Sequence, residues 1–182
     1  IKPAKEKHHG AVGFSLPYWS FIQSYAAQTV SVMPGRQGVI AVTNTAGAND
    51  AVMARMHQLP FDDGLFQTMW CVHALEYTEH PLRVLQEVWR VLEPKGRLIM
   101  VVPNRISMWA RAESTPFGHG HSFYLSQLHA FLEESGFDAI CDEHTLFTLP
   151  SHMLAKGRIS PLLRAVNRVV MRPLGGVWMI VA

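Results

Sequence analysis

Two apolar runs separated by an amphipathic segment constrain the fold of this chain more than any other feature of its sequence. The first run covers Phe66–Val72 and the second covers residues 97–104. Between them, apolar residues recur every three to four positions over 81–92, which predicts a helix with one buried face. Strands that are apolar on both faces and joined by a helix are typical of a parallel sheet covered on both sides. The sequence therefore predicts an α/β fold.

Weaker signals extend this alternation toward the amino end. Short apolar or β-branched runs predict strands over 10–14, 29–33 and 37–43. Pro17 suits the first turn of a helix, because a proline at that position gives up no helical hydrogen bond. Residues 48–57 have a weak helical pattern, and we expect a short helix there.

Beyond the central segment, the sequence predicts one more helix, over 125–134, and two strands within 137–149 and 175–182. We expect these two strands to pair antiparallel, since they need no long crossover to meet. Residues 152–173 between them are basic and partly helical in pattern. Together these elements predict a Rossmann-like three-layer sandwich with a mostly parallel sheet and an antiparallel C-terminal strand.

The composition excludes several classes of protein. The 182 residues are 48% apolar and 16% charged, which suits one globular domain over 10–182 that follows a loose basic segment over 1–9. A net charge of +2 does not indicate a nucleic-acid-binding surface. No apolar run reaches the roughly 18 residues that a bilayer-spanning helix needs, and nothing predicts an export signal, so we expect a cytoplasmic protein.

Cysteine and histidine usage gives no sign of a disulfide framework or a metal centre. The two cysteines, Cys71 and Cys141, lie in apolar runs that are typical of free core thiols. The ten histidines include the pair at 8–9 and another pair at 119 and 121. No Cys-x-x-Cys or His-Glu-x-x-His spacing accompanies them, so no metal site is predicted.

The predicted strands place four short segments at one edge of the sheet. Ligands of open parallel sheets bind beyond the carboxyl ends of the strands, at the point where the strand order reverses. In this chain the strand ends fall at 13–15, 33–35, 72–73 and 103–104. We therefore expect these four segments to surround one crevice.

The central part of the sequence resembles a known family. It has Leu-Pro-Phe before the buried strand and a helix ending in Glu-x-x-Arg-Val-Leu-x-Pro-x-Gly before the next strand, where Glu87 and Arg90 supply the charged pair. This order and spacing is similar to the central block of class I S-adenosylmethionine-dependent methyltransferases of the type 11 group. The likeness extends over roughly residues 10–182 and suggests a divergent bacterial subgroup. It implies a Rossmann-like fold that binds S-adenosylmethionine and transfers its methyl group.

The resemblance also implies where the cofactor contacts lie. The family's loop after the first strand, acid-x-Gly-x-Gly-x-Gly, keeps Gly13 in this chain but has Ala11, Ser15 and Pro17 at its other positions. Met33 stands where the family has an acid after the second strand. A charged hydrogen bond contributes about 1.5–3 kcal/mol, so these losses predict a weakened cofactor site. The implied contacts are Gly13, Phe14, Ser15, Met33, Pro34, Met56, Val72 and His73.

Three histidines are candidates for a catalytic base. His73 ends a buried strand, and His119 and His121 lie in a glycine-flanked loop. Methyl transfer needs a base only when the acceptor must lose a proton. The same residues also suit a core histidine that is satisfied by its neighbours and a plain surface loop.

Two functions stay open on the sequence alone. The first is methyl transfer from S-adenosylmethionine to an unidentified small-molecule or protein acceptor. The second is a catalytically inactive methyltransferase fold that serves as a binding or assembly module, because fold does not fix function. A dehydrogenase is not predicted, since there is no Gly-x-Gly-x-x-Gly loop followed by an acid about twenty residues on.

Overall fold

The apolar runs of the sequence form the centre of a mixed seven-stranded sheet. A computed structural model of the chain describes residues 8–15, 18–24, 28–33, 51–107, 121–145 and 176–182. The strands are β1 His8–Gly13, β2 Gln28–Met33, β3 Ala51–Met53, β4 Phe66–Val72, β5 Leu92–Pro103, β6 Cys141–Thr145 and β7 Val177–Val181. The helices are α1 Trp19–Gln23, α2 Pro81–Val91 and α3 Leu125–Glu134, and a 3-10 turn covers Leu75–Tyr77.

The order of the strands is β3-β2-β1-β4-β5-β7-β6. β1 pairs parallel with β2 and β4, β2 pairs parallel with β3, and β4 pairs parallel with β5. β7 pairs antiparallel with both β5 and β6. The predicted parallel sheet with an antiparallel C-terminal end is therefore confirmed. The strand order reverses between β1 and β4, which makes their carboxyl ends the switch point of the sheet.

Each face of the sheet carries its own apolar layer. Met69 and Trp70 are neighbours in β4 and point to opposite layers, as the two-residue period of a strand requires. Met69 joins Val12 and the buried faces of α2 and α3 in one layer. Trp70 joins Trp19 and Ile22 of α1 in the other. The three-layer arrangement predicted from the sequence is confirmed.

The structure differs from the sequence prediction at two places. The prediction of a helix over 48–57 is wrong, because Ala51–Met53 forms β3 and pairs with β2. Pairing with a neighbouring strand outweighs a weak local helical pattern. Cys71 is buried as expected, but Cys141 is exposed at the start of the edge strand β6.

Several predicted features lie outside the described residues. They are the strand over 37–43, the basic segment over 152–173, Pro17 and most of the amino-terminal segment 1–9. The limits of the predicted domain stay a prediction. Among the helices that the structure describes, none is long and apolar enough to cross a membrane.

One arginine of α2 fastens the loop that precedes β4. Arg90 donates hydrogen bonds to the carbonyl oxygens of Leu59 and Phe61, at 3.2 and 2.9 Å. It also donates to the carboxylates of Glu87 and Asp63. Glu87 in turn accepts a hydrogen bond from the amide of Leu59 at 2.8 Å. The Glu-x-x-Arg part of the motif therefore has a structural role, which is to tie the helix to the loop.

This network predicts a loss of stability in acid. Hydrogen bonds from the Arg90 side chain and from the Leu59 amide hold the pKa of Glu87 below its usual value, against the opposing effect of burial. A carboxyl group with a lowered pKa in the folded state stabilises the fold above its unfolded pKa, and that stability is lost as the pH falls through the folded pKa. We expect the free energy of unfolding in urea to fall below about pH 4.3. Glu87→Gln should reduce this fall, and the exposed Glu79→Gln should leave it unchanged. An equal fall in both variants would contradict the assignment.

Candidate functional site

The turn after β1 is pressed against the end of β4. Gly13 has a φ of 92°, a conformation that favours glycine. A Cβ atom on Gly13 would lie 2.3 Å from the carbonyl oxygen of Val72 and 2.7 Å from the Cβ of Ala74. The next amide, that of Phe14, donates a hydrogen bond to the same Val72 oxygen at 2.7 Å. Glycine is therefore needed here for the close approach of two parts of the chain, independently of any ligand.

A pair of hydroxyl groups joins the ends of β1 and β2. The Oγ atoms of Ser15 and Ser31 lie 2.9 Å apart, and both residues are buried. The amide of Ser15 donates to the carbonyl oxygen of Gly13 at 3.0 Å, and the amide of Tyr18 donates to the carbonyl oxygen of Ser15 at 3.0 Å. The loop is thus held in a tight turn by its own backbone, with a hydroxyl pair beneath it.

His73 follows β4 directly and has an unusual backbone conformation. Its φ is 49°, in the left-handed region that few residues other than glycine adopt. The amide of His73 donates to the carbonyl oxygen of Val101 at 2.9 Å, which extends the pairing of β4 with β5 by one residue. A conformation of this kind costs about 1–3 kcal/mol and is concentrated at functional sites.

The side chain of His73 contacts a carboxylate and an aromatic ring. Its Nδ1 lies 2.7 Å from Oε1 of Glu76, which the 3-10 turn brings within reach. The centre of its ring is 6.4 Å from that of Tyr18, just before α1. The amide of His121 donates to the backbone oxygen of Glu76 at 2.9 Å, so two of the three candidate histidines lie next to the same residue.

Burial sets the protonation of two neighbouring side chains. It raises the pKa of the Tyr18 phenol, which therefore keeps its proton and can donate a hydrogen bond. Burial also strongly raises the pKa of the Cys71 thiol, with a further contribution from the negative charge of Glu76. A thiol that stays protonated is a poor nucleophile, so Cys71 does not suit covalent catalysis.

The structure brings together five of the residues that the resemblance implied. Gly13, Phe14, Ser15, Val72 and His73 all lie where β1 and β4 end, as their hydrogen bonds and strand register show.

Among the other candidates, one lies in the core, one is described only in its backbone, and two lie outside the described residues. Met56 is buried in the core layer beneath α2 and α3. Met33 ends β2, but only its backbone is described. Pro34 and His119 lie outside the described residues. The predicted cofactor contacts stay a prediction.

Three residues at this edge were missed in the sequence. Tyr18, Ser31 and Glu76 contact predicted site residues, yet none was itself predicted as a site residue. The one local signal was the spacing His-x-x-Glu directly after a buried strand, because residues three apart become neighbours in a helical turn. In the part of the chain that the structure describes, no three His, Cys, Asp or Glu side chains are grouped as metal ligands.

Comparison with known proteins identifies the fold. The sequence model of a family described as "Methyltransferase domain" matches residues 12–100. Among solved structures, the chain resembles a methyltransferase of Thermotoga maritima, a possible histamine N-methyltransferase, with a TM-score of 0.66, 19% identity and coverage of 99% of this chain and 83% of that one. This chain has the class I methyltransferase fold, and just under half of it matches the sequence model of that family. A chain from the complex of the Haloferax volcanii Trm112 methyltransferase activator with a methyltransferase is also similar, with a TM-score of 0.68, 15% identity and coverage of 100% and 83%.

One curated relative shares a short segment with this methyltransferase-fold protein. An uncharacterized protein of Methanocaldococcus jannaschii is 39% identical over 57 residues, which is 31% of this chain and 25% of that protein. The chain therefore matches about a quarter of the length of this relative. Structural similarity at 15 to 19% identity shows the fold, and the reaction has to be argued from the site.

Proposed function

We propose that this protein transfers a methyl group from S-adenosylmethionine to a small-molecule or protein acceptor, at the edge where β1, β2 and β4 end. The observation that carries the proposal is the convergence of polar groups at the switch point of the sheet. Ser15 and Ser31 form one contact between β1 and β2, and His73 and Glu76 form another after β4. Ligands of this type of sheet bind at that point.

The groups at this edge fit a cationic nucleoside. S-adenosylmethionine carries a positive sulfonium and ribose hydroxyls, and the hydroxyl pair of Ser15 and Ser31 can exchange hydrogen bonds with such groups. The Tyr18 ring and the buried carboxylate of Glu76 both attract a cation. Oε2 of Glu76 is buried and has no hydrogen-bond partner among the described residues. The residues present therefore fit the charge of the methyl donor.

The chain contributes mainly by holding two reactants together. S-adenosylmethionine supplies a methyl group whose carbon forms a bond to the acceptor's lone pair, while the electrons of the broken carbon–sulfur bond stay on sulfur. Such a displacement requires no nucleophile from the protein, so positioning supplies most of the acceleration. Gly13 keeps the β1 turn against β4, and Phe14 beside it is exposed at the same edge. These residues would define the surface on which both reactants lie.

Two observations favour the catalytically inactive alternative. The amides of Phe14 and Ser15 donate to Val72 and Gly13, so neither is directed to a ligand in this conformation. The acid expected after β2 is replaced by Met33. A binding or assembly module would need neither group.

Calorimetry with S-adenosylmethionine separates the two functions. We expect a dissociation constant of about 0.1 to 1 mM, since the missing charged hydrogen bonds weaken a micromolar site by one or more factors of ten. At ten times that concentration the ligand should raise the melting temperature by about 3–5 °C. Ser31→Ala should weaken binding, and Ser126→Ala on the exposed face of α3 should not. The absence of both heat and thermal shift at 10 mM ligand would exclude the methyltransferase.

A further inference from the structure

The turn after β4 contains a buried pair of ionisable side chains, His73 and Glu76. A protein that only held the two reactants together would not need this pair. His73 and Glu76 are 2.7 Å apart, and their side chains are only 9% and 3% exposed. The histidine has a positive φ, and the glutamate lies in the single turn Leu75–Tyr77. Burial of such a pair costs free energy, because both groups lose their contact with water, and well-packed apolar side chains in the same place would not have this cost. The pair is thus poorly explained as a stabilising device.

Another glutamate of the same protein shows how a structural carboxylate is satisfied. Both oxygens of Glu87 accept hydrogen bonds, from Arg90 and from the Leu59 amide. Glu76 differs, because Oε1 contacts His73 whereas Oε2 is buried without a hydrogen-bond partner among the described residues. Buried polar atoms in this state are rare and call for an explanation such as catalysis or an absent ligand.

The contact with Glu76 decides which nitrogen of His73 can take up a proton. With Glu76 ionised, its carboxylate only accepts hydrogen bonds, and the 2.7 Å contact is then made by a proton on Nδ1. In a neutral imidazole the other nitrogen, Nε2, is then the one with a lone pair. A carboxylate that holds a histidine in this tautomer also stabilises the imidazolium formed when Nε2 is protonated.

We propose that Nε2 of His73 accepts a proton from the methyl acceptor, that Glu76 is the positioning residue for His73, and that the acceptor is therefore a hydroxyl or an amine bearing a proton. This inference rests on the methyl transfer proposed above. As the acceptor's oxygen or nitrogen is methylated, the electron pair of its O–H or N–H bond stays on that atom. The proton moves to Nε2 and is later released to water. A thioether or a tertiary amine has no proton to lose and would make no use of the pair.

Nitrogen NMR of histidine-labelled protein tests the pair without any turnover. We expect neutral His73 to carry its proton on Nδ1 and none on Nε2. Glu76→Gln keeps the shape of the side chain and should weaken this preference, while Glu79→Gln, three residues further on and exposed, should not change it. A proton on Nε2 of neutral His73 in the wild-type protein would overturn the proposal.

A kinetic comparison tests the acceptor class. Formation of S-adenosylhomocysteine is measured with phenol and ethanolamine as acceptors that carry a proton, and with dimethyl sulfide as one that does not. We expect His73→Asn, which tolerates the positive φ, and Glu76→Gln to lower kcat about a hundredfold for the first two acceptors. Any turnover of dimethyl sulfide should fall far less, and a rise in the KM for S-adenosylmethionine, whose charge Glu76 attracts, should be the same with all three acceptors. If the His73→Asn variant does not fold, the comparison is made with the Glu76→Gln variant alone.

The outcomes separate this inference from the proposed function. Absence of S-adenosylmethionine binding in calorimetry removes the methyltransferase itself, whatever the NMR shows. Binding combined with an unchanged kcat in Glu76→Gln overturns the proton-accepting pair alone. Binding combined with no methylation of phenol or ethanolamine overturns the acceptor class and leaves the methyl donor site in place.

Discussion

Replacement of Gly13 by alanine is expected to lower the free energy of unfolding by about 3 kcal/mol or more, because it combines two penalties. A non-glycine residue with positive φ costs about 1–2 kcal/mol. The new Cβ would also lie 2.3 Å from the Val72 carbonyl oxygen, and forcing extra atoms into packed structure costs about 1–3 kcal/mol. In a chain of this size the melting temperature should fall by about 6–12 °C.

Gly64 provides the matched control for this experiment. Its φ of 64° is also positive, but the nearest atoms to a Cβ there are at 3.8 Å, which is ordinary contact. Gly64→Ala should therefore cost only the backbone penalty, about 1–2 kcal/mol. Equal losses in the two variants would show that the approach of the β1 turn to β4 is looser than the structure indicates. In that case the strand ends would not form one surface.

Replacement of Arg90 by alanine is expected to lower the free energy of unfolding in urea by about 2–3 kcal/mol. Each hydrogen bond that involves a charged group contributes about 1.5–3 kcal/mol. The total is smaller than the sum of these bonds because they are partly open to solvent. The change leaves the carbonyl oxygens of Leu59 and Phe61 without this donor. Arg90→Lys should recover only part of the loss, because an ammonium group cannot reproduce the planar fork of the guanidinium.

Arg83, on the exposed side of the same helix, is the control for Arg90. Arg83→Ala should change stability by no more than about 0.5 kcal/mol. A double-mutant cycle of Arg90→Ala with Glu87→Gln should show coupling, since the two side chains share two hydrogen bonds. Additive effects would show that the loop before β4 is held by its apolar contacts and not by this charged network.

The parts of the fold that the sequence predicted well are those in which burial is most complete. β4 occupies the predicted range Phe66–Val72, and α2 begins at the predicted Pro81. In both, the apolar pattern is continuous or strictly periodic, so local sequence and tertiary packing agree. β3 was mistaken for a helix because its three residues owe their conformation to β2. The position of β7 between β5 and β6 is likewise set by pairing across the whole sheet.

The candidate site could be located from the sequence but not described in detail. Parallel strands bring their carboxyl ends together, so the proximity of Gly13 and His73 followed from the predicted topology. The partnership of His73 with Glu76 did not follow, because it depends on a positive φ at one residue and a single 3-10 turn. Neither has a periodic signal in the sequence. The hydroxyl contact between Ser15 and Ser31 joins residues 16 positions apart and depends on strand register.

A crystal structure of the protein with saturating S-adenosylhomocysteine tests the account most directly. We expect the nucleoside to lie at the ends of β1 and β2, against the Gly13 turn and the hydroxyls of Ser15 and Ser31. Density for the ligand at any other place on the protein would contradict it, and so would crystals that bind no ligand at 10 mM.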